Sequence, residues 1–228
     1  MIGCCDYRDF LSSLDCGSVD LALTDPPYGI SRKTNFHTML NKQWNVIDME
    51  FGDWDATPPD YPALASLLFQ AVRSGGSVIV WCAWQKVTSL VEAIESAGFS
   101  KVRMVIWERS NPVPINARAT NLSNSRDVAV SAVKGSGQTF NGHYDNGVYR
   151  MPIPRKRIHP TQKPLALFRE LIKKHSNRGD LVIDPFLGSG TTALAALNEG
   201  RRFAGCDIDA DWVSAAKMRV AQLPLAIK

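Results

Sequence analysis

Short apolar, β-branched segments alternate with longer stretches of helical spacing along most of the chain, and this alternation restricts the fold more than any other feature. It calls for a sheet whose strands are joined by crossover helices, the α/β class. Val19 to Thr24 (VDLALT), Ser77 to Cys82, Lys101 to Trp107, Asp127 to Val133, Asp180 to Asp184 and Phe203 to Cys206 read as strands. Tyr61 to Arg73 sets Leu64, Leu67, Leu68, Ala71 and Val72 at helical spacing ahead of Gly75-Gly76. Gln85 to Ala97, Leu165 to His175, Gly190 to Asn198 and Asp211 to Leu223 read as further helices, so the C-terminal third is a β-α-β-α unit. Residues 30 to 57 show no clear period and are expected to form a long loop, which in a compact domain is usually functional.

At 228 residues the chain suits one domain, residues 1–228, with a small insertion expected within 109–158. Its size lets it bury roughly 70 to 75% of its unfolded surface without disulfides or a structural metal. The five cysteines, Cys4, Cys5, Cys16, Cys82 and Cys206, are odd in number and contain no C-x-x-C pair, which argues against both a disulfide framework and a zinc site. The opening MIGCCDYRDF lacks a basic segment followed by an apolar one, and no apolar run is long enough to span a bilayer; a cytoplasmic protein without a membrane partner is expected. The net charge of +4 hides an asymmetry: Lys101 to Arg178 holds 15 Lys and Arg against four acids, an excess of +11, whereas the remainder is −7. Such a stretch suits a polyanion, with a solvated charged face as the alternative.

Two strand ends carry the chemistry. Strand Val19 to Thr24 runs into Asp25-Pro26-Pro27-Tyr28, where consecutive prolines force the chain out of the sheet. A carboxylate, rigidly held carbonyls and an aromatic face make a pocket for a planar molecule bearing an amino group: Asp25 and the Pro26 carbonyl accept its two hydrogens while Tyr28 stacks on the ring. The second strand end is Asp184-Pro185-Phe186-Leu187-Gly188-Ser189-Gly190-Thr191-Thr192, a glycine-rich turn into a helix. Gly188 and Gly190 let the backbone turn tightly and approach a ligand. No Lys follows them as in a Walker A loop, and the pattern is not G-x-G-x-x-G. Asp207 ends the next strand, where nucleotide-binding α/β units place the acid that grips ribose hydroxyls.

Together DPPYG, HPTQKP at 159 to 164 and DPFLGSGTT at 184 to 192 resemble the class β DNA amino-methyltransferases, which use S-adenosyl-L-methionine (SAM). The resemblance spans nearly the whole chain and includes a permuted order, the amine motif preceding the cofactor motif. It implies a Rossmann-like SAM-dependent methyltransferase fold: a seven-stranded, mostly parallel sheet with one antiparallel strand, the strands near 181 to 184 and 203 to 206 in its centre. It assigns Asp25, Pro26 and Tyr28 to the catalytic pocket. Asp184, Phe186, Gly188, Gly190, Thr191 and Asp207 fall to the cofactor, with Asp6 near its adenine, while His159, Thr161, Gln162 and Lys163 belong to a segment closing over its methionine half. Ser125-Arg126-Asp127 departs from the family, in which many relatives carry a Glu before the corresponding strand.

The implied reaction moves a methyl group from SAM to the N6 amino group of adenine in a short DNA sequence, with no metal. The D-P-P-Y form, rather than S-P-P-Y, leans toward adenine; N4 of cytosine is the alternative, and an inert nucleic-acid-binding module is the alternative of another class. The partner is double-stranded DNA, whose target base must leave the stack. Arg150, Arg155, Lys156 and Arg157, in an irregular stretch ahead of HPTQKP, are expected to contact phosphates. A homodimer and a restriction-enzyme partner are both left open.

Overall fold

Strand β2 (Val19–Thr24) is buried almost throughout, with Val19, Leu21, Ala22, Leu23 and Thr24 all inaccessible to solvent, as befits an interior strand covered on both faces. A computed structural model describes residues 1–29, 32–40, 43–49, 58–112, 124–154 and 162–223. Around β2 it assembles β1 (Ile2–Cys4), β5 (Val72–Cys82), β6 (Phe99–Arg109), β7 (Arg126–Lys134), β8 (Val148–Met151), β9 (Leu181–Asp184) and β10 (Arg202–Asp207) into one sheet of order β1-β10-β9-β2-β5-β7-β6-β8. Only β7 runs antiparallel to the rest. The expected seven strands with one antiparallel member are therefore present, and β8 adds an eighth, parallel to β6 at the sheet edge. Of the two strands expected at the centre, β9 lies beside β2, whereas β10 is second from the other edge.

Side chains alternate across the sheet and divide the core between its faces. Val78, Val80 and Cys82 of β5 point into one cluster and Ile79 and Trp81 into the other. Helices α1 (Tyr7–Ser12), α2 (Tyr61–Ala71) and α3 (Val87–Ser96) cover the first face; α4 (Leu165–His175), α5 (Thr191–Asn198) and α6 (Ala210–Ala221) cover the second. Local chemistry explains the helix ends. The Asp60 carboxylate accepts from the Ala63 N–H at the start of α2, whose buried stripe is Tyr61, Leu64, Ala65, Leu68 and Ala71. Asp209 caps α6 in the same way. Helix α4 matches its expected bounds and buries Leu167, Phe168, Leu171 and Ile172.

Two expectations change. Residues 30 to 57 are not all loop, because β3 (Arg32–Leu40) and β4 (Gln43–Met49) pair antiparallel as a separate two-stranded ribbon. Such a ribbon satisfies its backbone groups by pairing, which leaves no core period to read. Helix α2 stops at Ala71, before the glycines, since Val72 is already extended and opens β5. No described helix is long and apolar enough to cross a membrane.

Candidate active site

Parallel strands bring their carboxyl ends to one edge, and the antiparallel β7 brings its amino end there. That edge consequently collects Asp25 after β2, Asp184 and Asp207 ending β9 and β10, Asp6 after β1, and Asp127 at the start of β7. The connection from β9 leads to β10 on one side while that from β2 leads to β5 on the other, so the strand order reverses between β9 and β2. A crevice outside the strand ends at such a reversal is where open α/β sheets bind ligands.

A buried carboxylate ties the two halves together. Asp184, 2% exposed, accepts from Thr24 Oγ1 at 2.6 Å and the Phe186 N–H at 3.0 Å on one oxygen, and from Thr192 Oγ1 at 2.5 Å on the other. Burial raises its pKa to about 6 against the lowering effect of those three donors. Sequence reasoning misses Thr24; its signal is a lone hydroxyl at the end of an otherwise apolar strand. Both Asp184 oxygens are turned onto these donors, so it shapes the turn.

The glycine turn follows. Gly188, at φ +49°, donates its N–H to Asp207 Oδ2 at 2.7 Å, and a Cβ added there would meet no protein atom within 4 Å. Gly190, at φ +80°, differs: its Cβ would stand 2.8 Å from the Ala216 Cβ and 3.1 Å from its Cα. At Gly190 the missing side chain leaves room for α6, whereas at Gly188 it borders open space. Asp207 also accepts from the Asp209 N–H at 3.0 Å, and burial raises its pKa. From α6, Arg219 donates to the Ser189 carbonyl at 2.5 Å and to its hydroxyl at 3.1 Å, fastening the turn from below. The Phe186 ring lies 5.0 Å from that of Tyr7, Thr191 is buried at the start of α5, and the Asp6 carboxylate caps α1 through the Arg8 N–H at 2.8 Å. The open side of Gly188, with the Asp207 carboxylate on its N–H, suits a ligand with hydroxyl donors.

At the other strand end, Pro26 is buried and Asp25 holds one donor on each oxygen. Tyr28 donates its hydroxyl to Asp25 Oδ1 at 2.7 Å, and Lys163 donates to Asp25 Oδ2 at 2.7 Å and to the Tyr28 oxygen at 3.0 Å. Burial, with Asp25 next in effect, pushes the Tyr28 hydroxyl well above its ordinary pKa, so it stays a neutral donor. The Lys163 ammonium sits 3.8 Å from Asp127 Oδ2, and Arg109 closes the chain at 2.5 Å from Asp127 Oδ1. Asp127 belongs to Ser125-Arg126-Asp127, where this chain departs from the Glu-bearing pattern, and its carboxylate lies between Lys163 and Arg109. The Lys163 charge thus lies against Asp25, in the D-P-P-Y half of the site.

Gln162 is described and engaged. His159 and Thr161 lie outside the described residues, as do Arg155, Lys156 and Arg157. Arg150, with its side chain 73% exposed, stands on β8 at the same edge and pairs with Glu108 at 3.4 Å.

Comparison with known proteins agrees with this arrangement. A family model described as DNA methylase, of the N6/N4 methyltransferase type, matches residues 141–218. The Type II methyltransferase M2.DpnII of Streptococcus pneumoniae is 27% identical over 240 residues, covering 94% of this chain and 87% of the relative. Among solved structures, the M1.HpyAVI complex with SAM superposes with a TM-score of 0.76 at 24% identity over 98% of this chain and 99% of that one. The cytosine-N4-specific PvuII DNA methyltransferase has a TM-score of 0.74 at 19% identity over 100% of this chain and 87% of that one. The motifs, the single antiparallel strand, the glycine turn open at Gly188 and these likenesses converge: the chain is similar to the DNA amino-methyltransferases of the N6/N4 class, and the likeness supports SAM as its cofactor.

Proposed function

We propose that this enzyme methylates the N6 amino group of adenine in double-stranded DNA. The observation that carries the reading is Asp25, a carboxylate held at both oxygens yet able to accept a further hydrogen bond on each, at the head of D-P-P-Y. An adenine amino group is a poor nucleophile because its lone pair is delocalised into the ring. Asp25 and the Pro26 carbonyl, accepting its two hydrogens, localise that pair and aim it. SAM supplies a methyl group on a sulfonium, an activated leaving group that needs no metal. Tyr28, anchored through its oxygen, offers its ring to the extruded base and offsets part of the few kcal/mol that extrusion costs.

The cofactor half of the site is Asp6, Phe186, Gly188 and Asp207 together with His159, Thr161 and Gln162, with Asp184, Gly190 and Thr191 supporting the turn. Arg150 and the Arg155-Lys156-Arg157 triplet position the duplex through its phosphates. The enzyme should be expressed in a host free of DNA methylation and its DNA hydrolysed for mass spectrometry and mapped by single-molecule sequencing. N6-methyladenine at one short motif is the expected result; N4-methylcytosine would overturn the adenine assignment.

A further inference from the structure

Among the described residues Lys163 is the most deeply buried cationic side chain. Its side chain is 3% exposed, and it immediately precedes Pro164, the residue flanking the amino end of α4. A buried cation is costly, and the end of a helix where N–H groups point outward is the wrong end for one. What compensates it is the pocket: Asp25 at 2.7 Å, the Tyr28 oxygen at 3.0 Å, Asp127 at 3.8 Å, and the faces of Tyr28 and Trp81, each 5.2 Å from Nζ to ring centroid. Asp25, Lys163, Asp127 and Arg109 form a row of alternating charge that ends on the acceptor carboxylate.

We propose that Lys163 is a positioning residue for the target amine: it fixes the plane of the Asp25 carboxylate and the ring of Tyr28, and it belongs to the amine half of the site. The inference rests on reading Asp25 as the amine acceptor. The Asp25 side chain follows the last residue of β2 and is 21% exposed, so the strand alone does not lock its rotation. Tyr28 holds Oδ1 and Lys163 holds Oδ2, which leaves each oxygen one lone pair in a set direction. Lys163 also donates to the Tyr28 oxygen, so the surface meant for the base and the acceptor meant for its amine are set by one ammonium. Losing it frees both, and a displacement of about 1 Å at a reacting group costs on the order of 10²-fold in rate.

The test is Lys163→Met in the full-length enzyme, with SAM affinity from calorimetry and kcat from tritiated methyl transfer at saturating SAM and DNA. The expected result is SAM affinity within about threefold of wild type and kcat down about 10²-fold. A loss of about tenfold or more in SAM affinity with kcat unchanged would place Lys163 with the cofactor and overturn the proposal. Because removing one partner of a buried pair leaves the other charge uncompensated, thermal melting of Asp25→Asn/Lys163→Met is measured alongside. The double variant should melt above Lys163→Met; melting below both single variants refutes the pairing. If wild type methylates cytosine, the adenine reading fails while the division between kcat and SAM affinity is read on that product. If it methylates neither base, melting decides.

Discussion

Gly188 and Gly190 are two residues apart in one turn, and an added Cβ meets different surroundings at each, a difference that alanine can separate. At Gly190 the added methyl meets the Ala216 Cβ at 2.8 Å while the backbone stays at φ +80°. A left-handed conformation costs a residue with a Cβ roughly 1–2 kcal/mol, and overpacking adds about 1–3 kcal/mol. Gly190→Ala should therefore lose roughly 2–5 kcal/mol of stability, lowering the melting temperature by roughly 5–20 °C for a chain of this size. At Gly188 the methyl meets no protein atom within 4 Å, so the φ of +49° is the sole source of strain, about 1–2 kcal/mol. That methyl instead projects into open space, which the proposed function gives to the cofactor. Urea denaturation of both variants, paired with SAM calorimetry, reads the two effects separately. Gly190→Ala should be the less stable protein and Gly188→Ala the poorer SAM binder, by about tenfold or more, a difference of about 1.4 kcal/mol. Weak SAM binding by a fully stable Gly190→Ala, or unchanged SAM affinity in Gly188→Ala, would refute the reasoning.

Asp25→Ala should abolish methyl transfer while SAM still binds, and calorimetry beside a transfer assay checks both halves. Asp184, with a pKa raised to about 6, keeps a proton that the unfolded chain releases near pH 4, so its contribution to stability is lost as pH rises through about 6; His175, lowered to about 4 by burial, acts in the opposite sense over the same interval. Asp184→Asn should then leave the His175 slope uncovered, with stability rising more steeply from about pH 4 to pH 6.5 in urea titrations. Replacing Arg155, Lys156 and Arg157 by Ala should weaken DNA binding and flatten the slope of log K against log salt by about 0.9 for each phosphate no longer neutralised, without changing the methylated motif. An unaltered salt slope would place the duplex elsewhere.

The sequence by itself determined those features whose causes are local. Strand β2 stops just before Asp25-Pro26-Pro27, and helix α4 starts after Pro164 and keeps the bounds of its periodicity, because these signals lie within a few residues of the ends they set. The two glycine φ angles follow equally from the turn that begins after Asp184. Motif order carried the fold and the methyl-donor site, since residues at strand ends share an edge once the sheet is parallel. Partner identity is another matter. Lys163 finds Asp25 across 138 residues, and Thr24 finds Asp184 across 160. Gly190 faces Ala216 of α6, and β8 joins the sheet by pairing with β6. Spacing along the chain encodes none of these pairings. Each is set by which strands become neighbours and which helix faces close over them, so Lys163 reads from its motif as a cofactor residue and only the packed sheet edge puts its charge on the carboxylate of the other half of the site.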